Sequence, residues 1–557
     1  MTLTDAAQFL IREATRFVSP VPVASEWVLA AFAGLFAAVI PLSWLRVPRD
    51  AFVSLANRQR VSILICGLIP VAVRLALLPW MPVPDPSIHD EFSHLLLADT
   101  LAHGRLANPT HPMWRHFETI HVLQKPTYSS MYPPGQDVLL ALGEVVFHQP
   151  WAGVVIGAGF MCASICWAMQ GWLPPSWALF GTLLAILKIG VPGLWMNSFL
   201  GGSVSAVAGA LLLGAVARLR KGNASPALGM LAGFALVLLM NTRPFEGALL
   251  AAVALFYTWP AFFRNPRQLL LPAATVLACG ALFTGYYDFR VTGNPVRMAY
   301  QVNRDTYGWP ENLAFLPLKQ PRIDNPVLRN MYLKEAAHRT IYNSIETLLD
   351  NLTVRLFENW IVIVGPLLSI PLVYLTGVFR DRATRPLILF VAAIAGLNLF
   401  QMVLYPFHLS PVLPAVYMIV AAGLIHMPAR RIAFATALPL CLILTGAMKQ
   451  DAKALDLDLS YWEAPAEPHG ESRAEITEWL SRRPGKHLVV VHYEPWHDPD
   501  QEWVYNGADI DGSRIVWAQS LNPSADRELI RYFRDREIWL LNADTRVPHV
   551  VVYQGEK

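Results

Sequence analysis

Charge is scarce in this chain. Only 15% of its 557 residues are Asp, Glu, Lys or Arg, 54% are hydrophobic, and the mean hydropathy is +0.37. A soluble chain carries about 25% charged residues, so an ordinary water-soluble enzyme is excluded. Long apolar runs recur instead, the mark of a mostly α, polytopic helical membrane protein. The net charge is only +3, and no basic stripe alternates with aromatics, so nucleic acid is not an expected partner. Cysteine is sparse too. All five (Cys66, Cys162, Cys166, Cys279, Cys441) lie inside apolar segments, which leaves no disulfide framework and no thiolate metal site. No repeat at solenoid spacing and no low-complexity segment is visible. No basic segment followed by a cleavage site opens the chain, so a removable signal peptide is not expected. Proline and tryptophan are plentiful, with 43 and 18 residues, and suit broken segments and interfacial anchoring.

Apolar runs give about 12 expected spans, at 26–45, 61–81, 151–171, 176–195, 199–217, 226–241, 245–263, 268–286, 357–379, 386–405, 409–427 and 430–448. Residues 1–24 read as a surface segment, 25–448 as the membrane domain and 449–557 as a C-terminal α/β domain. Basic loops then fix the orientation: Arg46/Arg49/Arg58/Arg60, Arg218/Arg220/Lys221, Arg264/Arg267, Arg380/Arg382/Arg385 and Arg430/Arg431. All five satisfy the positive-inside rule with one parity. That parity puts the loops 82–150 and 287–356, and the tail, on the outer side of the membrane. It requires the run 136–148 to stay on that side as an interfacial or re-entrant helix; the run is too short to span and carries Glu144. In the tail, a helix at 471–483, the strands of KHLVVVHY, IVWA, IWLL and HVVVY, and the helix DRELIRYFRDRE suggest a small, partly parallel open sheet.

The polar stretch Asp85 to Gln136 stands out among these apolar segments. Asp85, Pro86 and the Ser87/Asp90 pair supply helix-start chemistry, and Gly104 a stop near His103. At about 100° per residue, Ile88, Phe92, Leu95, Leu96 and Ala102 share one side, and Asp90, Ser93 and His94 the other. Glu91 falls at the border, an expensive place for a carboxylate without a partner or a task. Two adjacent acids thus sit in a first helical turn directly after a hydrophobic span. One such acid reads as dipole and cap chemistry; two, followed by a long polar loop, point to catalysis.

An acidic pair opening the first outer loop, with Tyr132-Pro133-Pro134-Gly135 closing it, resembles the GT-C superfamily of polyprenyl-phosphate-sugar-dependent membrane glycosyltransferases. The chain is similar in layout to protein O-mannosyltransferases and lipid A aminoarabinose transferases, apart from an extra N-terminal span. The resemblance implies an inverting glycosyltransferase of the cell envelope. It would move a sugar from a polyprenyl-phosphate donor to a hydroxyl or amine of a glycan, lipid or protein acceptor, among membrane lipids. Asp90 matches the position of the family's general base, with Glu91 its neighbour, and the reverse assignment stays open. Some relatives use a divalent cation.

Donor phosphate would need cations near the outer leaflet, and Arg243 and Lys188 are the candidates. Arg74 reads also as a snorkelling side chain, and Lys125 as a loop cation. His94 flanks the acids, as does His89, while His111, His116 and His121 recur every five residues. Histidine and carboxylate together can hold a divalent ion, but this spacing aligns on no helix face, so no metal ligand is assigned. Tyr128 and Tyr132, with Trp114 and Phe117, offer faces for a sugar or a lipid groove, or interfacial anchors. Asp509-Ile510-Asp511 reads as a turn. Two other classes remain open: a transporter or flippase of a lipid-linked or anionic substrate, and a scaffold presenting the tail. Ionisable groups gathered in long loops, without a repeat, favour the enzyme.

Overall fold

In the computed structural model of the protein, the described residues are 21–86, 88–310, 313, 316–337, 344–401, 405–427, 431–454, 473–545 and 548–553. The expected surface segment up to residue 20, Ser87 of the expected capping pattern and the connection 455–472 lie outside them. Among the described residues, six helices are long and apolar enough to cross a membrane: Gln59–Ala76, Pro150–Trp172, Ser203–Arg220, Pro244–Arg264, Pro266–Thr292 and Pro406–His426. Two bent pairs, Ser25–Val39 with Ser43–Asn57 and Thr347–Ile363 with Gly365–Arg380, raise the number to eight if each is one span. The other four expected segments appear as shorter apolar helices: Pro175–Gly190, Pro226–Met240, Arg385–Leu399 and Arg431–Ala447. Proline in the first turns of the first three, Pro439 inside the fourth and a π-helical turn at Ile186–Gly190 interrupt the runs. The chain is an integral membrane protein; among the described residues six to eight spans qualify by helix length and composition.

Two features of this frame place the loop chemistry. The Asp137–Phe147 helix has 11 residues and is not among the long apolar helices. It lies so close to Pro150–Trp172 that a Cβ on Gly153 would stand 1.9 Å from the Leu139 carbonyl oxygen. Its other side, Val138, Leu142, Val145 and Val146, is exposed. Gly135 is similarly pinned: its N–H donates to the Asn241 carbonyl at 2.8 Å, and a Cβ there would meet that oxygen at 2.5 Å. Tyr132-Pro133-Pro134-Gly135 is therefore fixed against the end of Pro226–Met240, beside Arg243.

The helix of the polar stretch runs His89–Ala102 and stops at His103, with Gly104 left-handed at φ 69°. Its start differs from expectation. The N-cap is Ile88, whose side chain makes no capping hydrogen bond. Nor is it two-faced: His89, Glu91, Phe92, Ser93, His94, Leu96 and Leu97 are all buried. It is wedged between the Asp137–Phe147 helix, a short antiparallel ladder of β1 (Val122–Leu123) and β2 (Ser129–Ser130), and the tail. The tail's strands, β3 (His487–His492), β4 (Ile515–Gln519), β5 (Glu537–Asn542) and β6 (Val550–Val552), lie in the order β4-β3-β5-β6. The first three are parallel and β6 is antiparallel. Buried side chains alternate along β3 between two cores: Leu488 and Val490 face the loop helix, Val489 and Val491 the Arg473–Ser481 helix.

Candidate functional site

The first turn of the His89–Ala102 helix presents Asp90 to three side chains of its own loop. The Tyr132 hydroxyl donates to Asp90 Oδ1 and stands 3.0 Å from His121 Nδ1. His121 Nδ1 is 3.4 Å from Asp90 Oδ1, and His89 Nε2 is 3.2 Å from Oδ2. The two imidazoles pack edge to face, with centroids 4.5 Å apart. Burial alone would push the Asp90 carboxyl up. The charges of His121 and His89, with hydrogen bonds from His121 and Tyr132, outweigh it and hold the group well below the ordinary carboxylate range. The Tyr132 phenol is driven up, by burial first and then by Asp90.

His121 reaches this place through a left-handed backbone at φ 60°, uncommon outside glycine. Its carbonyl accepts from Ser93 Oγ at 2.7 Å and from the Met131 N–H at 3.1 Å, which fixes the strained residue against the helix. Behind Tyr132, the His94 ring stacks on the phenol at 4.4 Å, and His94 Nδ1 contacts Asp137 Oδ1 at 2.8 Å. Asp137 is fully buried. The Asp137–His94 pair thus sets the plane of the ring whose hydroxyl holds Asp90.

Glu91 points elsewhere: its Oε1 accepts the Phe199 N–H at 2.8 Å. Arg243 precedes the Pro244–Arg264 helix, with its guanidinium 4.9 Å from the Phe407 ring centroid. Its charge reaches Tyr132, Asp90, Glu246 and Tyr300. His408, beside that ring, lies within reach of the charges of Arg243, Asp90 and Arg355. Asp90, Tyr132, His94 and Arg243 are therefore brought together. Lys188 is not among them: its Nζ is 2.9 Å from Glu26 Oε1, and both side chains are buried. Lys125 is exposed, over the Trp114 ring at 4.2 Å. Tyr128 is buried and donates to the Asn506 carbonyl at 2.9 Å, facing the tail. Arg74 is used by Asn197 and by the Met81 and Pro82 carbonyls.

His121, Asp137, Arg355 and His408 were not among the expected site residues. Asp137 opens an apolar helix and His408 stands in an apolar run; such polar intrusions are the signal that could have found them. His111 and His116, which share the spacing of His121, serve the tail instead. His111 Nε2 is 3.1 Å from Asp511, and His116 Nδ1 is 2.8 Å from the Gln519 carbonyl. Asp509 accepts the Gly512 N–H at 3.0 Å, so that acidic pair does form a turn. His89, Asp90 and His121 offer ligand atoms within 4.8 Å of one another. Two imidazoles and a carboxylate form a donor set that fits a transition-series divalent cation better than magnesium or calcium.

No family model and no curated protein sequence matches the chain. Solved structures do show similarity. The structure of ArnT from Cupriavidus metallidurans bound to undecaprenyl phosphate is 11% identical, with a TM-score of 0.49, over 85% of this chain and 92% of that one. The apo oligosaccharyltransferase of Archaeoglobus fulgidus is 13% identical, with a TM-score of 0.48, over 87% and 69%. A complex of that archaeal enzyme with zinc and sulfate is 13% identical, with a TM-score of 0.46, over 86% and 67%.

Proposed function

We propose that the protein is an inverting membrane glycosyltransferase that uses a polyprenyl-phosphate-linked sugar at the outer face of the membrane. The observation that carries this reading is the meeting of an ionised, partly accessible Asp90 with Arg243 at the ends of apolar helices. There a lipid head group and a water-borne acceptor can both arrive. Arg243 binds the donor phosphate, with His408 and Arg355 beside it. The acceptor oxygen or nitrogen attacks the anomeric carbon from the side opposite the phosphate. As that bond forms, the bond from carbon to phosphate oxygen breaks, the electron pair leaves with the lipid phosphate, and configuration inverts. The acceptor proton passes to Asp90. A carboxylate of low basicity suffices, because the attacking group becomes strongly acidic as it acquires positive charge. Tyr132 and His121 orient Asp90, and His94 with Asp137 orients Tyr132. Glu91 ties the helix to the Phe199 backbone.

His89, Asp90 and His121 are the residues that would hold a divalent cation. When bound, such an ion supplies positive charge beside the reacting groups. The test is transfer of a radiolabelled sugar from a synthetic polyprenyl-phosphate donor by purified protein. Asp90→Asn is expected to keep the fold and donor binding while losing about 10²–10⁴-fold in rate. Full activity in both Asp90→Asn and Glu91→Gln would remove the enzymatic reading of the acidic pair.

A further inference from the structure

The N-cap residue of the turn that carries Asp90 is the apolar Ile88, yet the turn must hold a carboxylate against two histidines and a tyrosine. Its support comes from about four hundred residues away in sequence. Two positions after Asp90, the Phe92 ring is held by two residues of the C-terminal domain. Tyr505 stacks on it with centroids 4.4 Å apart and planes within 8°. The Arg473 guanidinium lies 4.8 Å from the ring centroid. Arg473 is itself fixed, donating through Nε to the Trp503 carbonyl at 3.1 Å and through Nη2 to the Tyr505 carbonyl at 2.8 Å.

The clamp continues along the helix. Near its far end, Asp99 Oδ2 accepts the Ala508 N–H at 2.6 Å. Between these points, Asn506 accepts from Tyr128 and is tied to β4 by two hydrogen bonds with the Trp517 backbone, of 2.8 and 2.9 Å. Residues 503–508 thus run beside the helix from the level of Asp90 to that of Asp99, and are braced on the sheet. The Tyr505 ring is buried, close enough for the charge of Asp90 to act on its phenol. Stacked aromatic pairs and a guanidinium over a ring favour one relative orientation, so a displaced Phe92 would forfeit both contacts.

We propose that the C-terminal domain is a positioning element of the candidate active site, with Tyr505 and Arg473 setting the His89–Asp90–Glu91 turn through Phe92. This rests on Asp90 being the working carboxylate. Neither residue touches the reacting atoms; both act through the ring. A tail that served only to bind a partner would have no need to grip the turn that holds the acid.

Hydrogen–deuterium exchange of the full-length protein tests the grip without reference to substrate. In Tyr505→Ala, amides in the 88–98 segment are expected to exchange on the order of tenfold faster, because local opening of that turn becomes easier. Tyr505→Phe keeps the stack and should restore wild-type protection. Leu541→Ala, in the tail core on the opposite side of the sheet, should loosen the tail without loosening 88–98. Unchanged exchange in Tyr505→Ala, or equal loss in Leu541→Ala, would overturn the proposal. A second readout is Mn²⁺ titrated into the same proteins and followed by electron paramagnetic resonance. Supporting residues around metal ligands typically govern affinity by about 10–100-fold, so Tyr505→Ala should weaken Mn²⁺ binding and Tyr505→Phe should not. Wild-type protein without saturable Mn²⁺ binding would overturn the cation reading alone; the exchange arm then decides the positioning.

Discussion

Asp90 in the loop and Glu502 in the C-terminal domain are acids in matching company, and they are driven in opposite directions. Each accepts from a tyrosine hydroxyl, Tyr132 for Asp90 and Tyr493 for Glu502. Each lies within reach of histidine. Burial pushes both up. At Asp90 the two histidine charges and the hydrogen bonds win, and the carboxyl is held low. At Glu502 burial wins over the Tyr493 hydroxyl and the Val504 and Trp503 N–H groups, and the carboxyl is raised. Glu502 Oε1 alone takes Tyr493 and the N–H groups of Trp503 and Val504, both at 2.9 Å, and the nearby His497 belongs to Asp544 at 2.8 Å. Glu502 is a brace for a backbone turn. Asp90 spreads two oxygens over two histidines and keeps 18% of its side chain exposed, so a further group can reach it. Burial and a tyrosine are common to both acids; the accessible edge is what sets Asp90 apart.

That contrast breaks most sharply in transfer assays. Asp90→Asn should cost about 10²–10⁴-fold, while Glu502→Gln, which keeps its accepting oxygen, should transfer at the wild-type level. Equal losses in both would make Asp90 another brace. Lys188 and Arg243 repeat the contrast among cations. Lys188 is consumed by Glu26, and Lys188→Ala leaves a buried carboxylate uncompensated, which costs on the order of 3–5 kcal/mol of stability. Restoring neutrality with Glu26→Gln should return much of it, as read by thermal unfolding in detergent. Arg243 has no carboxylate within hydrogen-bond distance among the described residues and rests on Phe407. Arg243→Ala should leave unfolding nearly unchanged and weaken binding of a polyprenyl-phosphate donor. A lost charge-assisted contact is worth about 1.5–3 kcal/mol, about tenfold to a hundredfold in affinity. A destabilised Arg243→Ala with unchanged donor affinity would place Arg243 with Lys188.

Much of this was legible in the sequence, for physical reasons that are local. The tail's strands and helices follow from alternation and turn residues, and the helix stop at Gly104 from the one residue that takes φ 69° without strain. Asp90 was legible because two acids after an apolar run are costly without a purpose. Lys188 looked like a phosphate ligand because its acid, Glu26, lies 162 residues away. Tyr128 looked like a substrate face because its partner, Asn506, is 378 residues away. His121 was obscured by its backbone: a five-residue spacing defines no helical face, and only the left-handed turn at φ 60° brings it onto Asp90. The expected amphipathic face of His89–Ala102 gave way to burial on nearly all sides, since the tail covers the side that would otherwise meet water. Periodicity reads one helix against one core; it cannot register a second domain closing over the other side.

The smallest expected effect concerns Glu502 itself, and its sign is fixed by linkage. A carboxyl raised by folding binds more protons in the folded state than in the unfolded one. Its contribution is therefore most favourable at low pH and declines as pH climbs from the ordinary 4.5 through the raised folded value. Asp90, held low, has the opposite slope and is most favourable once ionised. Tail unfolding in the full-length protein, followed by the fluorescence of the buried Trp503 and Trp517, should thus become easier as pH rises above the ordinary glutamate range. Glu502→Gln removes the titrating group while retaining an oxygen for the Trp503 and Val504 N–H groups, and should flatten that slope without raising the unfolding temperature at low pH. The change is small because the ionised form keeps all its hydrogen bonds; only desolvation is being relieved. If the variant keeps the wild-type slope, burial does not dominate at Glu502, and the two acids no longer differ in the way their surroundings require.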